Sequence, residues 1–251
     1  MVAAAYAAPG PLGIWRLDLS RETQTFGASA FEETRSRAAA EIGNWIDQRT
    51  RVRAGAGLES WSDRPRTAAF SVHAEFWPVV DRLAFEAGGT TWRGAGAPFS
   101  AADAAVRWRS SATSTGTLWR GDAGYRAVTA SSPASIWPAT DSGPSRDALL
   151  RAHTLQDDGV IRGGVFGRRL AFGTIEVQRW LKPGRRLIRL APAAFVDSAR
   201  AWRGLPTTTL RTQVDAGAGL RLALPGTGIL RIDIAHGLRD GRTALSVAWQ
   251  R

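Results

Sequence analysis

Cysteine is absent from this chain of 251 residues. Its absence excludes disulfide scaffolds, thiolate metal sites and cysteine nucleophiles. Long apolar runs are missing too, although 44% of the residues are hydrophobic: none approaches the roughly 18 uninterrupted residues that a membrane helix needs. We therefore expect no transmembrane helix, and an apolar surface large enough to be buried by another architecture.

Lysine is nearly missing, because Lys182 is the only lysine among 33 basic residues, and the formal net charge is +11. A charge of this size is one sign of nucleic-acid binding. The arginines, however, recur singly along the chain and are interleaved with Asp and Glu, so they form neither a cluster nor a helical stripe. The sequence therefore predicts no nucleic-acid partner.

Catalytic motifs are also lacking, since no nucleophile-elbow, Walker-type or dinucleotide-binding glycine pattern occurs in a strand-turn-helix context. The histidines, His73, His153 and His236, lie far apart in sequence. His73 and Glu75 share one strand face, but an ordinary polar pair is favoured there over a metal site. We predict no catalytic residue, no metal site and no cofactor, and hence a protein that is not an enzyme.

What the chain does contain is a two-residue alternation of apolar and polar side chains, the pattern of strands with two different faces. In segment 66–77, for example, Phe70, Val72 and Phe76 share one face while His73 lies on the other. The clearest such segments are 13–20, 51–62, 66–77, 82–92, 211–224, 230–234 and 243–249. Less regular segments lie near 35–47, 101–110, 117–128, 169–181 and 186–199.

These segments predict about twelve strands of about ten residues, the length of a tilted strand that crosses a bilayer. Short turns at 78–81, 182–185 and 225–228 alternate with longer links at 93–100, 129–167 and 200–208, as in barrels with short periplasmic turns and longer outer loops. We therefore predict an all-β fold: an antiparallel up-and-down transmembrane β-barrel.

A soluble β-sandwich alternates in the same way, so the pattern alone leaves it open. Three features favour the barrel: the strand length, the pairing of Arg with Asp or Glu on the polar face, and tryptophans near strand ends. An arginine held in lipid at the midplane costs about 2–4 kcal/mol, so the arginines must face the lumen. The tryptophans are Trp15, Trp61, Trp77, Trp92, Trp108, Trp180 and Trp249.

Three short motifs follow one another in the second half of the chain. They are Gly-Val-Ile-Arg-Gly-Gly at 159–164, Phe-Gly-Thr-Ile-Glu-Val-Gln at 172–178 and Ala-Phe-Val-Asp-Ser-Ala at 194–199. Their order resembles the outer-membrane surface-antigen superfamily, the BamA- and TamA-type assembly and polypeptide-transport barrels. The resemblance covers about 159–251; it departs from the family at Gly164, where an aromatic residue is usual, and at Ala199, where glycine is usual.

The resemblance implies that the long outer loop is locked inside the barrel. Arg162, followed by Gly163, would pair with Asp197 and lie near Glu176, with Phe195 beside Asp197 in the third motif. The residues themselves allow this, because Glu176 and Asp197 fall on the polar faces of the two strands that follow the loop. The alternative is that Arg162, Glu176 and Asp197 are ordinary lumen charges.

The resemblance also implies a size. Family barrels have sixteen strands and are preceded by periplasmic POTRA domains, whereas here about seven strands precede the loop and five follow it. We expect residues 1–251 to form one outer-membrane barrel domain with the loop at 129–167 and no POTRA domain in this chain. It would be a C-terminal fragment or a reduced relative; the N-terminus does not read as a secretory signal, which favours the fragment.

The expected function is to aid insertion or translocation of proteins or lipids at the bacterial outer membrane. Expected partners are outer-membrane lipid, client polypeptides, assembly-machine subunits, and a missing N-terminal region or POTRA domains. One alternative is a passive outer-membrane pore with a basic lumen that favours anions. Another is a soluble β-sandwich that binds acidic ligands.

Overall fold

Antiparallel strands of 8–16 residues build a single-sheet wall, and all long strands belong to it. The computed structural model describes residues 2–27, 31–113, 116–140, 150–161, 165–181, 188–205, 211–224 and 228–250. The strands that precede the long loop are β1 (Val2–Gly10), β2 (Gly13–Phe26), β3 (Phe31–Trp45), β4 (Thr50–Trp61), β5 (Arg64–Val79), β6 (Leu83–Gly94), β7 (Phe99–Arg109) and β8 (Gly116–Val128).

The described part of the loop contains a 3-10 turn (Ala134–Ile136) and two short strands, β9 (Gln156–Asp157) and β10 (Val160–Ile161). The wall continues with β11 (Arg169–Trp180), β12 (Arg189–Trp202), β13 (Gln213–Leu224), β14 (Gly228–Gly237) and β15 (Thr243–Gln250). Over the described ranges, no helix is long and apolar enough to cross a membrane.

Each wall strand pairs with the next one along the chain, and β8 pairs with β11 across the loop. The topology is therefore up-and-down. β8 ends and β11 begins at one end of the wall, which we call the loop end; the opposite end is the turn end. β1 and β15 are the first and last long strands of the wall, and they are not hydrogen-bonded to each other within the described residues.

The two faces of the wall carry opposite side chains. On β5 the outward residues Phe70, Val72 and Phe76 remain 51%, 59% and 45% exposed. The inward face instead buries charged groups, such as Glu59 on β4 and Glu176 on β11. A water-soluble sandwich would hide the apolar face and expose the polar one. This inverted arrangement is that of a transmembrane barrel, which confirms the predicted fold class.

The wall has thirteen long strands in its described part, against about twelve predicted. The additional strand is β1, which alternation did not reveal because its sequence, VAAAYAAPG, places alanine on both faces. The turn expected at 78–81 begins later, since β5 continues through Pro78 to Val79 with a register irregularity between Phe76 and Val79. Such an irregularity accommodates a residue without an N–H. The predicted turns at 182–185 and 225–228 fall mostly outside the described residues.

The long loop, 129–168, packs against the first strands of the wall. β10 runs parallel to β2, with Ile161 opposite Phe26, and both side chains are fully buried in one apolar cluster. Trp61 on β4 donates its indole N–H to the Ser135 hydroxyl at 2.8 Å. The same loop also reaches the inward faces of β11 to β14, so it bridges the two halves of the wall and covers the lumen between them.

Candidate functional site

Four neighbouring strands each bury one acidic side chain against the long loop. The residues are Glu176 on β11, Asp197 on β12, Asp215 on β13 and Asp233 on β14, and each is at most 6% exposed. Alternation places them inward because their neighbours along the strands, such as Val196, face outward. A buried carboxylate without a cation costs several kcal/mol, so this group needs positive charge nearby.

The loop supplies one such charge through Arg151. A terminal guanidinium nitrogen of Arg151 lies 2.8 Å from a Glu176 oxygen and 3.4 Å from an Asp233 oxygen. Its Nε lies 3.2 Å from Asp197 Oδ2, close enough for an ion pair but without aligned hydrogen-bond geometry. The guanidinium carbon stacks 3.7 Å from the centroid of the Phe195 ring, a cation–π contact in a desolvated setting. One loop arginine therefore contacts three wall strands.

The wall supplies a second guanidinium from Arg221 on β13, which is 1% exposed. Its Nε and one terminal nitrogen donate to the two oxygens of Glu176 at 3.0 and 2.7 Å. Such bidentate pairs are stronger and more directional than single contacts. Arg221 also donates to Asp233 at 2.5 Å, and Arg231 Nε lies 2.9 Å from the other Asp233 oxygen. Glu176 and Asp233 are thus held by the wall even without the loop.

Among the described residues, Asp197 has fewer partners than Glu176. It accepts a hydrogen bond of 2.5 Å from the Thr174 hydroxyl, and its ion pair within this part of the chain is the one with Arg151. Its second oxygen, Oδ2, accepts no aligned hydrogen bond from the described residues. This oxygen is therefore an acceptor that a further donor from the loop could satisfy.

Two loop residues next to Arg151 form another anchor. Ala152 donates its backbone N–H to Asp215 at 2.7 Å. His153 lies between two carboxylates, with Nδ1 at 2.8 Å from Asp215 and Nε2 at 2.9 Å from Asp240 in the turn after β14. Burial of His153 disfavours its charged form, but the contacts with Asp215 and Asp240 outweigh burial and raise the pKa of the imidazole.

We expect this second anchor to weaken as pH rises. A histidine whose pKa is raised by folding contributes stability that is fully present below its unfolded value of about 6.5 and is lost as pH rises through the folded value. Limited proteolysis of the loop should therefore speed up across that window. His153→Asn should flatten the dependence, because asparagine does not titrate; an unchanged profile in that variant would assign the effect to another group.

The structure brings together three of the residues that the sequence analysis selected: Glu176, Asp197 and Phe195 surround one guanidinium group. That group belongs to Arg151, which was not predicted. Arg162 and Gly163 lie outside the described residues, so their part in the lock stays a prediction. The sequence analysis also did not select Asp215, Arg221 and Asp233 of the wall. The two-residue alternation could have indicated them, because it places all three on the inward face.

A solved structure shares this architecture. Neither a protein-family model nor a curated protein matches the sequence. A crystal structure of BamA from Haemophilus ducreyi lacking POTRA domains 1–3 matches with a TM-score of 0.66 and 13% identity, over 98% of this chain and 62% of that chain. A NanC porin structure matches with a TM-score of 0.34 and 10% identity, over 94% and 100% of the two chains.

At this low identity the likeness to BamA concerns the fold. The chain has the fold of the BamA barrel, as its motifs suggested, and it spans 62% of the length of that BamA chain.

Proposed function

We propose that this chain is an outer-membrane barrel of the assembly and polypeptide-transport superfamily, located in the bacterial outer membrane. It helps to insert or translocate proteins or lipids there, without chemical catalysis. The exposed apolar face of the wall supports contact with outer-membrane lipid, and the fold is that of the BamA barrel. Residues 1–251 act as one barrel domain that works with a further N-terminal region or POTRA domains.

This proposal rests on one observation, the contacts of Arg151 with Glu176, Asp197, Phe195 and Asp233, which we call the Arg151 cluster. It ties the long loop to β11, β12 and β14, while the far part of the loop packs on β2 and β4. A loop fixed to both halves of the wall lies across the lumen and couples its own position to the arrangement of the strands. An assembly or transport barrel uses such coupling, whereas a passive pore requires an open lumen.

Arg162 completes this lock in the proposal. Asp197 Oδ2 is buried and accepts no aligned hydrogen bond within the described part of the chain, so it suits a guanidinium donor from the loop. Measured in a double-mutant cycle, Arg162→Ala and Asp197→Ala are expected to act non-additively on the protease resistance of the loop. Additive effects would mean that the two residues act independently.

Reconstituted liposomes test the function itself. We expect liposomes that contain the chain to speed the insertion of an unfolded client barrel polypeptide several-fold over protein-free liposomes, measured by the heat-modifiable gel migration of the client. Arg151→Gln should change this rate while the chain itself remains folded and membrane-inserted. No acceleration by the unaltered chain would contradict the assembly role.

The second candidate is the passive pore with a basic lumen, which is favoured by an excess of arginine in one lumen cavity. It predicts a large, steady, anion-selective conductance in planar bilayers without any insertion of client polypeptide. The conductance would not depend on Arg151 or Arg162. Brief or absent conductance that increases in Arg151→Gln would instead support a plugged lumen.

A further inference from the structure

Positive charge is concentrated in one cavity near the turn end of the lumen. The cavity has a volume of about 370 Å³ and, among the described residues, is lined by six arginines and three acidic residues. The arginines are Arg82, Arg107, Arg109, Arg120, Arg151 and Arg231. Arg151 and Glu176 line this cavity and also belong to the Arg151 cluster, so the cavity lies directly beside that cluster.

A second lumen cavity shows that the excess is local. This cavity, of about 510 Å³, extends towards the loop end and, within the described part of the chain, is lined by four arginines and four acidic residues. Its charges pair with one another: Arg35 lies 2.7 Å from Glu59, and Arg53 lies 3.6 Å from Glu41. Among the described residues, the excess of arginine over acidic residues is therefore found in the turn-end cavity and not in the larger cavity.

Arg120 on β8 is the centre of the uncompensated charge. It is exposed to the cavity, lies directly opposite Arg109 on β7, and lies opposite Glu176 on β11. Its charged neighbours include Glu176, Arg109, Arg221 and Arg151. Glu176, the carboxylate opposite Arg120, is already bound by Arg221 and Arg151, so Arg120 shares it with two other guanidinium groups. Like charges at such short range repel one another, and an anion in the cavity would relieve this repulsion.

Other side chains make the cavity suitable for a small ligand. Arg107 is held in place by Glu75 at 2.9 Å and by Glu86, and it lies 6.0 Å from the ring centroid of Trp77. Trp77 and Trp108 supply apolar lining beside the arginines. Guanidinium groups are planar forks that match the oxygens of phosphate in pairs, so several of them favour a phosphate group.

We propose that the turn-end cavity binds a phosphate-bearing anion, and that Arg120, with Arg82 and Arg109, holds its phosphate groups. The source is a free phosphate compound or the headgroup of a phosphorylated lipid, which share this chemistry. The proposal does not depend on the assembly function, because it rests on the charge and shape of the cavity alone.

Binding of inorganic pyrophosphate to the chain folded in non-ionic detergent provides the test. Titration calorimetry should detect binding, and Arg120→Gln should weaken it about ten- to a hundredfold, the loss expected when a hydrogen bond to a charged group is removed. Arg53→Gln, in the balanced cavity, is the matched control and should leave the affinity nearly unchanged. Heat-modifiable gel migration verifies that each variant is folded.

A replacement variant and a competition experiment complete the test. If Arg120→Gln does not fold, Arg82→Gln is the replacement and should weaken binding in the same direction. Short-chain phosphatidic acid in mixed micelles should compete with pyrophosphate if the source is a lipid, and should not compete if the ligand is a free phosphate compound. Absence of pyrophosphate binding, equal weakening by Arg53→Gln, or equal affinity for citrate would overturn the proposal.

Discussion

Replacement of Arg151 by glutamine should loosen the long loop from β11, β12 and β14. Glutamine keeps much of the side-chain volume but removes the positive charge that Arg151 places against the buried Glu176, Asp197 and Asp233. Breaking a buried pair in this way costs about 3–5 kcal/mol. We expect rapid protease cleavage within 129–168 and a lower midpoint of urea unfolding in detergent, while the strand content, measured by far-ultraviolet circular dichroism, is retained.

The control for this prediction is Arg37→Gln. Arg37 also pairs with a buried carboxylate, Glu59, but at 3.6 Å and with 41% of its side chain exposed, and Glu59 keeps Arg35 as a closer partner. Its loss should cost no more than about 1 kcal/mol. Adding Asp197→Asn to Arg151→Gln should restore part of the lost stability, because the carboxylate that needed the cation is gone. Equal effects of Arg151→Gln and Arg37→Gln would remove the argument for a lock.

The second large effect is expected on the outer face of the wall. Val72 lies near the middle of β5 and is 59% exposed, so Val72→Arg should place a guanidinium group in the hydrocarbon core of the membrane. The cost at the bilayer midplane is about 2–4 kcal/mol. Unfolding by urea in lipid bilayers measures it as a loss of unfolding free energy.

The neighbouring residue supplies a close control. Ser71 faces inward and lines the larger lumen cavity, so Ser71→Arg adds the same charge one position away in a wet setting. We expect a much smaller loss of unfolding free energy for Ser71→Arg. If the two variants lost equal stability, the outward face would not be the one in contact with lipid.

Strands and faces could be predicted because their signal is local. A period of two residues is visible within a single segment, and it identified β4, β5 and β13 with their outward sides. It failed at β1, where alanine on both faces erases the contrast. The chain near Pro78 also differed from the prediction, since β5 continues where a turn was expected. Whether a strand continues past a proline depends on the neighbouring strand.

Of the candidate site, only residues of the wall could be predicted from the sequence, and the loop residue Arg151 could not. Glu176 and Asp197 fall on the inward, polar faces of their strands and lie in recognisable motifs, so their roles could be proposed from the sequence. Arg151 resembles many other arginines of the chain, and its partners lie 25 and 82 residues away at Glu176 and Asp233. Which arginine reaches a given carboxylate is decided by the path of the loop, and no local pattern encodes that path.

The bridge made by the long loop has a consequence for the order of folding. β10 pairs with β2, more than a hundred residues earlier in the chain, while Arg151 and His153 bind strands that follow the loop. Contacts of such high sequence separation form slowly, because the entropy of closing the intervening chain is lost before the contacts stabilise it. Both halves of the wall must exist before the loop can dock between them. Docking of the loop is therefore a late step, and it reports that the preceding strands have reached their native register.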